Sequence, residues 1–268
     1  MVSFKAAKSA VAEATGASYF IVPPDGSESV RYNRVSRFIS VLSDDDLLVK
    51  RDMRYAVKGA LQFYARELGE LDLDDDKMEL NNLIERAARK AGKWDSADYG
   101  TAVHAWTEDL DNGAVTGVAS SLADREQFGP AVKELKWGPK DLFEGEFEAI
   151  RRDVLSYLDL LDAHNVSMSR CEATIVLDEY EVAGTLDRVG KVGEDSPAYC
   201  CEKDHVLDLK TGSMDFGRLE KTMQFAAYAK AKLYNHSTHE RTDHGACQKT
   251  AYIIHVPAKM ASPSLIPI

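Results

Sequence analysis

Three pieces of the chain decide its fold: EVAGTLDRVGKV (181–192), CCEKDHVLDLKTG (200–212) and GRLEKTMQFAAYAKA (217–231). The first two alternate apolar and polar residues and read as strands; the third has the three-and-four spacing of an amphipathic helix. Asp187 stands near the end of the first strand. Asp208 and Lys210 lie two apart on the second and therefore share a face, while Leu207 and Leu209 point the other way into a core.

Working outward, CEATIVLDEYEV (171–182) supplies another alternating strand with a turn near Asp178-Glu179, and KTAYIIHVP (249–257) a last one, which Pro257 stops. Strand, strand, strand, helix, strand predicts a mixed α/β (α+β-like) sheet flanked by helices. On the helix that begins here the expected apolar side includes Leu219, Met223, Ala226, Ala227 and Leu233. The polar stretch 235–248 reads as a loop, and the tail after Pro257 has no periodic pattern.

The first half is mainly helical. Residues 54–68, 78–91 and about 141–163 carry helical apolar spacing. Ser36 is a candidate helix cap, and Ser43 with the three aspartates behind it reads as the start of another helix. A further helix is expected from Ser96 or Asp98 through Asp109, ended by Asn112-Gly113; on it Gly100 offers room for close approach to another element. A short helix around Pro130–Leu135 and a break at Trp137-Gly138-Pro139 follow. Near the amino terminus, Pro23-Pro24-Asp25-Gly26 predicts a small hairpin. The expected division is a helical attachment, residues 1–94, and a core, residues 95–268 with its tail.

The 268 residues, 44% hydrophobic and 29% charged, suit a globular protein with a sizeable core. No apolar run is long enough for a membrane span or a signal peptide, so the expectation is a cytoplasmic protein with no membrane partner. The net charge of −11 argues against a surface that coats nucleic acid broadly, though a local basic groove is compatible with it. The four cysteines, Cys171, Cys200, Cys201 and Cys247, include no C-x-x-C pair. Two of them are adjacent, which argues against one compact tetrahedral site, and free thiols of a reducing compartment are expected.

Asp187, Asp208 and Lys210 allow two readings. As ordinary surface ion pairs they would need no common location. Yet Asp208 and Lys210 are embedded in apolar HVLDLKTG, where charges without a purpose cost stability. Two carboxylates converging beside an amine are what a hard divalent cation and a nucleophilic water require, the chemistry of phosphodiester hydrolysis. Gln224 and Tyr228, four apart on the following helix, share a face and read equally as phosphate contacts or as packing.

The ordered set GTAVH (100–104), GTLDR (184–188), DLKTG (208–212) and QFAAY (224–228) resembles the RecB-type exonuclease branch of the PD-(D/E)XK nuclease superfamily, many of whose stand-alone members are encoded by phages. The resemblance covers about residues 95–256 and implies a restriction-endonuclease-like core, DNA as substrate, and Mg²⁺ or Mn²⁺ as cofactor. It implies His104, Asp187, Asp208 and the carbonyl of Leu209 around the metal, and Lys210 as the catalytic lysine. Gln224 and Tyr228 would support the site and the scissile strand, with Glu172 as an auxiliary acid. Some relatives hold a 4Fe–4S cluster with one cysteine near the amino terminus and three after the core. The placement here departs from that, so no iron–sulfur cluster is expected. Lacking helicase motifs, such a protein would work with a helicase or a single-strand-binding or recombination partner. A DNA endonuclease uses the same chemistry; a catalytically silent DNA-binding or assembly subunit and a different metal hydrolase are the remaining alternatives.

Overall fold

The computed structural model describes residues 18–42, 46–116, 144–214 and 217–268. The expected starts at Ser43 and Asp141, the short helix at 130–135 and the break at 137–139 lie outside them.

Among the described residues, nine strands join one mixed sheet: β1 (Ser18–Ile21), β2 (Val30–Arg34), β3 (Ser167–Leu177), β4 (Val182–Lys191), β5 (His205–Lys210), β6 (Lys232–Tyr234), β7 (Arg241–Thr242), β8 (Tyr252–His255) and β9 (Ser264–Pro267). The main path runs β7-β6-β3-β4-β5-β8-β9. β3 and β4 form the long antiparallel pair, β4 and β5 continue it, and β8 lies parallel to β5 after the helical crossover. The amino-terminal hairpin is present, and β2 is hydrogen-bonded in parallel to the start of β4. The tail after Pro257 contributes β9, antiparallel to β8.

Helices cover both faces. On one side α5 (Asp95–Thr116) and α6 (Glu144–Ala163) bury Val103, Trp106, Ile150 and Tyr157 against Leu207, Leu209 and Ile254. On the other, α1 (Val35–Ile39) and α7 (Arg218–Lys230) bury Val35, Phe225 and Tyr228 against Leu186, Val206 and Ile253. β5 thus has a core on each face, which is why HVLDLK is almost wholly buried.

Several expectations are corrected. Ser36 lies inside α1, whose cap position is Arg34. The helix expected over 54–68 is instead α2 (Asp46–Phe63), interrupted at Tyr64 and resumed as the short α3 (Ala65–Glu70). α5 runs through Asn112-Gly113 to Thr116, because Asp111 is buried and anchored to the sheet, so packing overrides the local stop signal. On α7 the buried side is Phe225, Tyr228 and Ala229, whereas Leu219 is exposed and Leu233 lies beyond the helix in β6; the apolar stripe is rotated from the one read off the sequence.

α2 packs along α4 (Lys77–Lys90). Their approach depends on Gly59, where a Cβ would run into the backbone of Ala87. The rigid backbone cannot yield as a side chain would. Gly59→Ala is therefore expected to destabilise by about 1–3 kcal/mol, more than alanine's helix propensity returns. A shift of the urea midpoint to lower concentration would show it; an unchanged or raised midpoint would refute it.

Candidate active site

The β4–β5 ladder pairs Gly190 with His205, Val189 with Val206 and Arg188 with Leu207, and then opens. Extending that register by one residue sets Asp187 opposite Asp208. The alternation of β4 breaks here: Leu186 faces the α1/α7 core, whereas Arg188 faces α5 and α6. On the other flank, the β3 register puts Glu172 opposite Asp187, between the pairs Cys171–Arg188 and Ala173–Leu186. Glu172 has φ of +49°, the left-handed region, which costs a non-glycine residue about 1–3 kcal/mol. Three acids therefore form a row across three adjacent strands, at the point where strand geometry is least regular.

Lys210 Nζ lies 2.5 Å from Asp208 Oδ2. The Asp187 carboxyl lies near enough to that of Asp208 to act on it directly. His104 on α5 places Nδ1 3.9 Å from Asp187 Oδ2, and its ring also donates to the backbone carbonyl of Leu209. Gly100, one turn earlier, lets α5 come this close: a Cβ there would stand 2.7 Å from Thr211 Oγ1, immediately after Lys210. His104, Asp187 and the consecutive Asp208, Leu209 and Lys210, three separate stretches of the chain, are thus brought together.

The electrostatics follow from burial. Burial pushes the Asp208 carboxyl up to about 7, with Asp187 adding to the rise and Lys210 opposing it. Burial and the neighbouring Glu108 and Asp187 push Glu172 up to about 7 as well. Burial lowers His104 to about 4 against the pull of Asp187, so its imidazole is neutral at pH 7.

On α7, Gln224 Nε2 donates to Tyr228 Oη at 3.0 Å. Tyr228 is buried, which raises its phenol well above the ordinary range, and Asp187 and Asp208 are near enough to add to that rise. Two residues of this cluster escaped the sequence reading. Glu108, one turn beyond His104 on α5, is raised by burial and its acidic neighbours, Asp187 among them. Lys221, three residues before Gln224, is lowered by burial and by Lys210. The i, i+4 and i, i+3 spacings from His104 and Gln224 were the available signals, but isolated charges on a helix ordinarily read as solvated surface.

Beneath the acids lies a buried polar network. Arg188 Nε contacts Asp111 Oδ2 at 2.5 Å and its Nη2 donates to Thr107 Oγ1 at 2.8 Å. Tyr157 donates to the same Asp111 oxygen at 2.6 Å. The network fixes β4, which bears Asp187, against α5, which bears His104 and Glu108.

Paired carboxylate oxygens, a backbone carbonyl and a neutral imidazole fit a hard divalent cation. Without one, burial and the neighbouring acids favour the protonated forms of Asp208 and Glu172, with Lys210 opposing this at Asp208. A pH dependence follows. Asp208 and Glu172 have folded values near 7 against ordinary values of 3.8 and 4.5. Between those limits the folded protein binds protons that the unfolded chain releases. This stabilising contribution is full below about pH 4 and is lost as pH rises through about 7. In chelator, wild type should lose more melting temperature between about pH 5.5 and about pH 8 than Asp208→Asn does. Mn²⁺ should restore wild type chiefly at the higher pH. Parallel profiles for the two proteins would contradict this.

A family model described as the PD-(D/E)XK nuclease superfamily matches residues 59–263. No curated protein and no solved structure matches the chain. Members of this superfamily are metal-dependent nucleases that use divalent cations such as Mg²⁺ or Mn²⁺. Among the described residues, no helix is long and apolar enough to cross a membrane. With three quarters of the chain matched, and with its mixed sheet flanked by helices, this protein belongs to the PD-(D/E)XK nuclease superfamily.

Proposed function

We propose that the chain is an exonuclease acting on linear DNA ends, of the RecB-like type, and that Asp187, Asp208, the Leu209 carbonyl and His104 hold its Mg²⁺ or Mn²⁺. The observation carrying the catalytic reading is the contact of Asp187, Asp208 and Lys210 at the mouth of the opened β4–β5 ladder. A divalent ion bound there supplies an activated water and polarises the scissile phosphate. Lys210 orients that water and offsets the negative charge that develops on phosphorus-bound oxygen. Glu172 and Glu108 supply further acceptors for protons and metal-bound waters. Tyr228, aligned by Gln224, and Lys221 line the α7 side, where the scissile strand's phosphates would pass.

The exonuclease assignment rests on the four ordered motifs and their likeness to the RecB-type branch, with recombination, repair or phage replication as its setting and a helicase or recombination protein as its partner. End-labelled linear DNA and covalently closed circular DNA, each incubated with Mn²⁺, test it. Mononucleotide or short-oligonucleotide release from the linear form alone is expected. Equal attack on the closed circle would replace this reading with an endonuclease, and inertness toward both would overturn hydrolysis altogether.

A further inference from the structure

Away from the acids, at the opposite end of β5, three of the four cysteines come together. Cys200 and Cys201 lie in the β4–β5 connection, His205 opens β5, and Cys247 lies in the approach to β8. Their ligand atoms all lie within 4.8 Å of one another. Adjacent cysteines argued against a single site only if the chain were extended through them. It is irregular at both residues and bends at 202–203, which lets both sulfurs turn to the same side.

We propose that Cys200, Cys201, His205 and Cys247 bind one structural Zn²⁺. Zn–S bonds of about 2.3 Å and a Zn–N bond of about 2.0–2.1 Å place tetrahedral ligands roughly 3.5–3.8 Å apart, so small side-chain rotations close the observed cluster. The backbone is already arranged for sulfur anions. Lys203 N–H donates to Cys201, and the N–H groups of Lys249 and Thr250 donate to Cys247, the former at 3.4 Å. A second hydrogen bond, Cys247 N–H to the Asp204 carbonyl at 2.7 Å, holds the two connections together.

His205 supplies an independent indication. Its side chain is wholly buried, Nδ1 has no hydrogen-bond partner, and Nε2 faces Cys201 Sγ at 3.7 Å. A buried imidazole whose Nε2 meets only sulfur is poorly satisfied there as a hydrogen-bonding group but is placed as a ligand. Three thiolates and an imidazole select zinc over the hard cations that suit the acid row. Four ligands converging on one point also suit a single ion better than a multi-iron cluster. The set is closed, with no position left for substrate, so the ion is structural: it ties the entry of β5 to the entry of its parallel neighbour β8.

The test is the metal content of the full chain, purified without added metal and washed with a mild chelator. One zinc per chain is expected, retained in Asp187→Ala/Asp208→Ala and in Cys171→Ser but lost in Cys247→Ser. Because a folding defect in Cys247→Ser would also release the metal, Co²⁺ exchanged into the unaltered protein gives a second reading: visible bands of a tetrahedral thiolate site should appear. Absence of zinc, its loss on removing only the two acids, iron with the visible absorption of a cluster, a disulfide among these cysteines, or Co²⁺ spectra without thiolate bands would each overturn the proposal.

Discussion

Lys210→Ala is expected to lower the rate of DNA hydrolysis at saturating Mn²⁺ by about 10²–10³-fold, with the fold unchanged. The ammonium group lies on Asp208 itself, so it stands beside any water or phosphate oxygen that reaches the acids. Its contribution is a fixed positive charge in a partly dry site, available in the transition state without solvent reorganisation. Because Lys210 is one third exposed, removing it opens no core cavity, and circular dichroism and the melting profile should change little. Single-turnover cleavage of labelled DNA, together with equilibrium binding in Ca²⁺, separates the effects: rate should collapse while affinity moves by less than about tenfold. A rate within about threefold of wild type would remove Lys210 from the chemistry.

The second large effect concerns stability. Asp111→Ala strands Arg188, only 2% exposed, without its counter-ion, and also removes the acceptor of Tyr157. Breaking one side of a buried ion pair costs roughly 3–5 kcal/mol. For a chain of this size that is a fall in melting temperature on the order of 10 °C. Replacing the pair by apolar residues of similar volume, Asp111→Leu with Arg188→Met, should recover much of the loss, since the penalty comes from the unpaired charge. Activity should recover less than stability, because Arg188 also fixes the backbone beside Asp187. If Asp111→Ala melted within about 2 °C of wild type, the network would not be holding β4 to α5.

The legibility of the sequence varied with the kind of signal. β5 was readable because apolar residues flank Asp208 and Lys210 in strict alternation, and a buried strand tolerates charges only for a reason. The pairing of β2 with β4 was not readable, since nothing local in VRYNR specifies a partner so far along the chain. Asn112-Gly113 misled because a turn signal is a local preference of about 1 kcal/mol, and the tertiary anchoring of Asp111 outweighs it. The thiol cluster escaped because its ligands come from two irregular connections and a strand end, where spacing along the sequence says little about proximity. Leu219 illustrates the opposite error: an apolar residue at helical spacing was assigned inward, while the structure leaves it at the surface.

The parallel contact of β2 with β4 also sets an order of events during synthesis. Asn33 waits for Val182, about 150 residues further on, and translation at roughly 5–20 residues per second delays that partner by about 8–30 s. Through this interval the edge of β2 that faces β4 in the finished sheet has no partner to pair with. Chaperone engagement, or pairing with another nascent chain, has its window there, and slowing translation between the two strands would lengthen it.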